Sequence, residues 1–467
     1  MDTFHTPVNG QVSFWYAETG LPVPRPGLDG DTEVDVAVVG AGYTGLWSAY
    51  YLKKARPDLS VVVLESRFAG FGASGRNGGW LTNSITGGRG RYVKSHGRAA
   101  VGRFQELLNA TVDEVISVAA EEGIDAGIVK GGELNVARNP AQLERLRAWA
   151  REEAQWPQSG ARLLDAAETA GRVRVAGVLG GLHHPHCARI QPARLVRGLA
   201  AAVEALGVPV YEQTPVTEIR PGRAGAPAAA VTPRGTVSAR FVLRATEGFT
   251  ANLPGSHREW LPMNSSMIVT EPLAESVWKE IGWAGRDTVA DMAHAYMYAQ
   301  RTADGRIALG GRGVPYRFGS RTDSGGATQP AAITGLTALL RDMFPAAAQA
   351  RIDHAWAGVL GVPRDWKATV GLDPQTGVGW AGGYVGTGVA ASNLAGRTLR
   401  DLVLAPDSEL TRMPWVNRRV RRWEPEPLRW LGVNTMYRAY HAADRAERNG
   451  RTGTSPLARA ADLVSGR

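Results

Sequence analysis

Apolar positions along this chain fall into short continuous runs bounded by glycine and longer stretches with helical spacing. The first run, Asp35-Val36-Ala37-Val38-Val39, predicts a strand. Gly40-Ala41-Gly42-Tyr43-Thr44-Gly45 follows, and then a helix through Leu46, Trp47, Ala49 and Leu52. Val61-Val62-Val63-Leu64 predicts a second strand, which ends at Glu65. Residues 97–122 read as a long amphipathic helix carrying Phe104, Leu107, Leu108, Val112, Val115 and Ile116. A strand at 132–137 and a charged surface helix at 140–156 come next, then a helix opened by Gln191-Pro192 and running to Leu206. Strands at 208–211 and 216–219 precede a loop at 221–230 (PGRAGAPAAA), and 240–248 closes that sheet. Residues 263–270, 295–301 and 306–310 read as strands, 331–344 as a helix, and 390–404 as another. No internal repeat or low-complexity tract interrupts the series.

The first strand, glycine turn, helix and second strand carry G-x-G-x-x-G in the context of a dinucleotide site, with Glu65 placed 20 residues after Gly45. Gly40 allows the tight turn, Gly42 lets the backbone approach a pyrophosphate, and Gly45 lets helix and strand pack closely. The unpaired N–H groups and dipole at the helix N-terminus favour the negative charge of the pyrophosphate. Glu65 is placed to accept from ribose hydroxyls and would repel a 2′-phosphate.

A second glycine-rich segment follows almost at once: Gly70-Phe71-Gly72-Ala73-Ser74-Gly75-Arg76-Asn77-Gly78-Gly79-Trp80-Leu81. A nicotinamide domain normally continues here into another helix and strand. So many glycines instead suggest backbone lying against a large flat group. A third glycine turn, Gly382-Gly383-Tyr384-Val385-Gly386-Thr387-Gly388-Val389, opens the helix at 390–404. Together these segments resemble the D-amino-acid-oxidase-like family of FAD enzymes, and GASGRNGG is most similar to the gamma-glutamylputrescine oxidase branch. The resemblance spans roughly residues 12–405.

That resemblance implies an α/β fold, with a Rossmann-type FAD-binding domain (glutathione-reductase-like) interleaved with an α+β substrate domain on an antiparallel sheet. The expected division is an N-terminal arm at 1–32; an FAD-binding domain at 33–96, 171–250 and 351–410; a substrate domain at 97–170 and 251–350; and a basic tail at 411–467. Contacts to FAD are implied for Gly40, Gly42, Tyr43, Thr44 and Gly45, and for Glu65, Ser66 and Arg67. In the second segment they are implied for Gly72, Ala73, Ser74, Arg76, Asn77, Gly78, Gly79, Trp80 and Leu81. Further along the chain they fall on Val216, Ala245, Gly248, Gly383, Gly386, Thr387, Gly388 and Val389. Arg76 stands where covalent branches of the family carry a histidine, and no cysteine lies late in the chain, so FAD is expected to be bound non-covalently.

The implied reaction is oxidation of a primary or secondary amine by hydride transfer to flavin N5, followed by hydrolysis of the imine. Such chemistry needs positioning and positive potential at the flavin more than acid–base machinery. The dipole of the helix entered through Gly386-Thr387-Gly388 is a source of that potential. Trp80, Tyr296, Tyr298 and Trp356 are the expected aromatic wall of the substrate pocket, since aromatic faces attract cations. Glu133 and Arg312 are candidates to pair with an amine or a carboxylate. Sarcosine-oxidase relatives have a lysine that promotes reaction with oxygen; the matching position here is Ala308, with Lys367 a substitute, so oxygen or another electron acceptor is left open.

With 467 residues, two interleaved domains are the natural expectation. The net charge of +9 is uneven: residues 411–467 hold twelve arginines, no lysine and five acids, and so carry +7. The remaining body carries +2, which speaks against nucleic acid as a partner, including the tRNA-modification role of one relative. The tail, dense in Arg418, Arg419, Arg421, Arg422, Trp423 and Trp430, reads as a clamp on the body or on a second copy of the chain, with an anionic membrane surface as the alternative. A homo-oligomer held through it is compatible with this reading. No apolar run is long enough for a transmembrane helix, the N-terminus lacks the pattern of a signal peptide, and the single Cys187 fits a reducing cytoplasm. His183-His184-Pro185-His186-Cys187 reads as a structural turn, and no metal site is expected. Two other readings stay open: an amino-acid oxidase of the sarcosine or glycine type, which needs an arginine clamp such as Arg312, and a flavin-binding protein without turnover.

Overall fold

The computed structural model describes residues 6–311, 315–322 and 325–465. Among the described residues, two large sheets organise the chain. One has eight strands. Its centre is parallel, Gly235–Arg244 beside Thr32–Val39 beside Val61–Leu64 beside Val210–Tyr211. Both faces of this centre are covered, which is why its strands read as continuous apolar runs. Val36, Val38, Val61 and Val63 share a core with the helices Tyr43–Ala55, Pro192–Ala205 and Gly388–Leu404. The alternate residues Ala37, Val39, Val62 and Leu64 pack with Ala228, Ala230 and Val237. Leu46, Trp47, Ala49 and Leu52 of the first helix are all 0% exposed, and each fully buried large apolar side chain contributes about 1.5–3 kcal/mol.

The other sheet has nine strands, mostly antiparallel, in the order 8–9, 352–362, 261–270, 307–311, 297–301, 288–291, 133–137, 180–184 and 162–164. Helix Pro330–Met343 packs through Leu336, Leu340 and Met343 into a second core under it.

Most elements expected from the sequence form close to their expected bounds, with instructive differences. The helix begun at 97 is the second half of Arg89–Glu121, broken at Gly97, whose φ of 77° is non-helical. The loop at 221–230 ends early: Ala228–Thr232 is a strand antiparallel to Gly235–Arg244. Three alanines give little strand preference, and their pairing partner rather than their identity orders them. The boundaries drawn at 171 and 351 do not coincide with a change of sheet, because Gly180–His184 and Ile352–Val362 both pair within the nine-stranded sheet.

The described parts of the N-terminal arm and of the basic tail pack on the body. In the arm, Val8–Asn9 pairs with Ile352–Val362, and Phe14, Trp15 and Tyr16 of the short helix Phe14–Thr19 are buried. The basic tail contains the helices Leu428–Arg448 and Pro456–Ser465; Trp423, Val433 and Tyr437 share a core with Leu261, Val362 and Trp366. No helix among the described residues is long and apolar enough to cross a membrane.

Candidate active site

Two adjoining cavities lie where the sheets meet. The first, of about 300 Å³, is lined by fifteen of the expected cofactor residues: Gly40, Gly42, Tyr43, Thr44, Glu65, Ser66, Gly72, Ala73, Ser74, Asn77, Val216, Ala245, Gly386, Gly388 and Val389. The second, of about 480 Å³, shares Ala73, Asn77, Leu360, Gly386 and Val389 with it and extends to Arg76, Gly78, Trp80, Thr387, Tyr296 and Tyr298.

The first cavity is walled by backbone drawn close. Gly40 sits at φ 107°, and a side chain there would meet the Ala245 carbonyl at 2.7 Å. A methyl on Gly45 would lie 1.9 Å from the Gly40 carbonyl oxygen, so only glycine lets the helix start directly over the strand end. The two glycine-rich segments are tied together, since the Tyr43 N–H donates to Ser74 Oγ at 2.8 Å. At the other end Thr44 Oγ1 and the Tyr384 hydroxyl lie 3.0 Å apart. Glu65 accepts from the N–H groups of Ala41 (2.9 Å) and Arg67 (3.0 Å). Burial nevertheless pushes its carboxyl pKa up.

The N-terminal arm props the second glycine-rich segment from behind. Ser13 Oγ donates to the Gly75 carbonyl (2.7 Å), Trp15 Nε1 to that of Asn77 (2.9 Å) and the Tyr16 hydroxyl to that of Ala69 (3.2 Å). Nothing in the arm's sequence pattern announced this role, because the partners lie more than 50 positions away.

Several expected contacts fall elsewhere. Gly45 supports the turn without lining either cavity, and the same holds for Arg67, Gly79, Leu81, Gly248 and Gly383. Leu81 is 0% exposed within the core, Gly248 backs onto Val359, and Gly383 onto Pro363. Trp356 is a correction of consequence. It is 0% exposed, packs edge-on against Trp15 and donates from Nε1 to the Arg76 carbonyl (2.9 Å), so it braces the pocket floor instead of facing substrate. Trp356 has the same strand parity as the lining residues Gly358 and Leu360, so alternation alone did not separate it from them. Arg312 lies outside the described residues.

In the second cavity Trp80 and Tyr298 meet edge to face at 6.3 Å, and the Tyr298 hydroxyl lies 2.8 Å from Ser265 Oγ. Glu133 is held by Thr82 Oγ1 and Asn135 Nδ2, both at 2.9 Å. The cations of the wall are engaged by protein groups. Arg76 donates from Nε to the Phe71 carbonyl (2.7 Å) with its guanidinium over the Phe71 ring. Arg145 donates to both oxygens of Glu447 and to the Met292 carbonyl.

Sequence reasoning passed over Glu247, though it stands inside the Ala-Thr-Glu-Gly turn. It lines the first cavity at the left-handed φ of 43° and accepts from the N–H groups of Gly383 (3.2 Å) and Tyr384 (3.1 Å). Burial raises its pKa from 4.5 to about 7. An acid at the non-glycine corner of a glycine turn was the available signal.

The match to the family model of FAD dependent oxidoreductases (DAO) runs over residues 35–402, from the first strand to the last helix of the eight-stranded region. The chain belongs to that family, and it is an FAD-dependent oxidoreductase. It is 31% identical over 402 residues to the gamma-glutamylputrescine oxidoreductase of Escherichia coli strain K12, a match covering 84% of this chain and 88% of that protein. Among solved structures it resembles the glycine oxidase of Geobacillus kaustophilus, with a TM-score of 0.69 at 22% identity, over 83% of this chain and 99% of that one. It also resembles the L-proline dehydrogenase of P. horikoshii, with a TM-score of 0.67 at 18% identity, over 82% and 96%. At these identities the structural matches establish the mixed α/β fold. The first cavity fits the family's cofactor, because it combines a glycine-walled turn under a helix N-terminus, an acid at the strand end and the start of helix Gly388–Leu404.

The histidine-rich turn is structural in its contacts. His183 Nε2 approaches Asp287 (3.4 Å), His184 lies against Trp149, and Cys187 is buried beside Thr288 with its thiol pKa raised by that burial.

Proposed function

We propose that this oxidoreductase acts on a primary or secondary amine, oxidising its C–N bond to an imine that water then hydrolyses to an aldehyde and an amine. Bound non-covalently in the first cavity, FAD supplies at N5 the two-electron acceptor for the hydride lost from the carbon bearing nitrogen. The remaining proton leaves from nitrogen, so the neutral amine is the reacting form. Glu65 would take the ribose hydroxyls, and the N-terminus of helix Tyr43–Ala55 the pyrophosphate. Helix Gly388–Leu404 would favour negative charge at the flavin. Trp80, Tyr296 and Tyr298 would orient the amine in the second cavity.

The observation that carries this reading is that the second cavity opens from the first through shared residues and offers aromatic faces and carboxylates, while its Arg145 is paired with Glu447 and its Arg76 donates from Nε to the Phe71 carbonyl. Arg145 is thereby withdrawn from clamping the carboxylate that an amino-acid substrate carries. Ala308 is 0% exposed among Met267, Val269 and Trp356 and supplies no charge, so we assign slow reoxidation by oxygen.

The test is an anaerobic panel of amines and amino acids mixed with purified yellow protein while flavin absorbance is followed. Bleaching by primary or secondary amines, with carboxylate-bearing analogues no better, is expected. Bleaching confined to α-amino acids would move the assignment to an amino-acid oxidase, and no bleaching by any member would remove it. Acid should release intact FAD into the supernatant.

A further inference from the structure

The family match ends at residue 402, yet the wall of the second cavity does not. Helices Leu428–Arg448 and Pro456–Ser465 form a hairpin, with Tyr440 and Ala443 of the first against Ala458 and Ala461 of the second. Three anchors fix it against the outer part of the cavity. The Asp444 carboxylate accepts from the N–H groups of His294 (2.8 Å) and Ala295 (3.0 Å). Glu447, 1% exposed, takes Arg145 at 2.7 Å and His294 Nε2 at 2.9 Å. At the end of the second helix the Ser465 carbonyl accepts from Arg364 Nη1 (3.0 Å) and Trp366 Nε1 (3.1 Å).

His294, Asp444 and Glu447 bring three ligand-type atoms within 4.8 Å of one another. A metal ion does not suit them, because Arg145 already neutralises Glu447 and backbone N–H groups use Asp444. Their work is to hold the hairpin.

Held this way, the hairpin contributes one side chain among the described residues to the cavity lining, Asp462. The Tyr440 hydroxyl donates to its Oδ1 at 2.7 Å and so fixes its direction. The other lining carboxylates are satisfied internally: Glu133 by Thr82 and Asn135, and Asp291 by the N–H groups of Ala293 (3.4 Å) and Met297 (3.1 Å). None of the three has a cation partner among the described residues, and Asp462 differs in having a single donor there, the Tyr440 hydroxyl, where the other two have two each. A carboxylate oriented into a confined, partly desolvated wall without a counter-charge is stabilised by any cation that enters.

We propose that Asp462 is a specificity-determining residue that receives a cationic group of the substrate remote from the C–N bond being oxidised. This rests on the amine-oxidation reading above and adds what that reading leaves open: the substrate carries a second positive centre. The selectivity comes from a segment outside the family-matched region, so it can differ among chains that share the catalytic body.

The experiment uses full-length, FAD-loaded protein and two probe series of equal length, α,ω-diaminoalkanes of three to six carbons and the corresponding n-alkylamines. Binding is read from the flavin absorbance change, and reduction from anaerobic stopped flow. Wild type should bind the best diamine at least about tenfold more tightly than its monoamine. Asp462→Asn should lose that preference by weakening diamine binding about tenfold, with monoamine binding and the limiting reduction rate within about twofold. Asp462→Glu, which keeps the charge, should retain the preference. A preference unchanged in Asp462→Asn overturns the proposal, as does a wild type that binds both series alike or neither. The two readings fail separately. Flavin that stays oxidised with every amine removes the oxidation reading even where Asp462 governs binding, whereas reduction by both series without a charge preference removes only the role of Asp462.

Discussion

The two adjoining cavities are built in opposite ways. Fifteen of the residues expected at the cofactor line the first, and most of these come from two segments within 40–77, so short-range pattern and local geometry coincide there. The second draws on strands 133–137, 288–291 and 297–301, the turn before helix Gly388–Leu404, and a C-terminal helix. Its chemistry is set by which side chains the nine-stranded sheet and the hairpin bring together. A cofactor common to a family is held by backbone, which tolerates no substitution at a few glycines; a substrate is held by side chains, which leave the fold intact when they change.

The sharpest way to break this contrast is at the backbone cradle. Gly45→Val places carbon within 1.9 Å of the Gly40 carbonyl, which cannot move without dismantling the turn. We expect a cost of about 3 kcal/mol or more and purified protein without flavin absorbance; normal FAD content in that variant would refute the cradle.

Next in size is the buried acid of the first cavity. The pKa of Glu247, ordinarily 4.5, stands at about 7 in the folded chain. The folded protein therefore holds this proton to higher pH than the unfolded chain does. The resulting stability is complete below about pH 4.5 and is lost as pH rises through about 7. Glu247→Gln, which cannot ionise, should lack that loss. On protein stripped of flavin, the variant should gain on wild type by up to about 3 kcal/mol between these pH values, measured by denaturant unfolding. A difference independent of pH would show that the carboxyl titrates normally.

A smaller effect sharpens the side-chain half of the comparison. In Gly310→Ala the new methyl would lie 2.3 Å from Cζ of Tyr298. The ring must tilt, which disturbs its contact with Ser265. We expect KM for amines to rise about tenfold while FAD content and the shape of its absorbance spectrum persist. Loss of FAD would mean that the two cavities are not separable.

The smallest expected effect concerns Lys367, considered from sequence as a substitute for the oxygen-activating lysine. It lies outside both cavity linings, 3.7 Å from Asp365 and over the Tyr92 ring. Lys367→Met should leave the rate of flavin reoxidation in air within about twofold of wild type. A larger fall would return this lysine to the oxygen reaction.

What the sequence by itself determined is the cofactor unit: the strand entering Gly40, the helix from Tyr43, Glu65 at the next strand end and the second glycine segment. These constraints act over a few residues, through forbidden side-chain volume and backbone N–H direction, and so they are written as residue identities in order. Only the tertiary structure decided that Trp356 braces the floor, that the arm at Ser13 and Trp15 props Gly75 and Asn77, and that Asp462 reaches the second cavity. Each of these depends on pairing between segments distant in the chain. Alternation along a strand gives two faces but not what covers them, and an amphipathic helix in a basic tail gives a stripe but not its partner. Long-range packing, stabilised by apolar burial that has no direction of its own, selected among the arrangements that local pattern left equivalent.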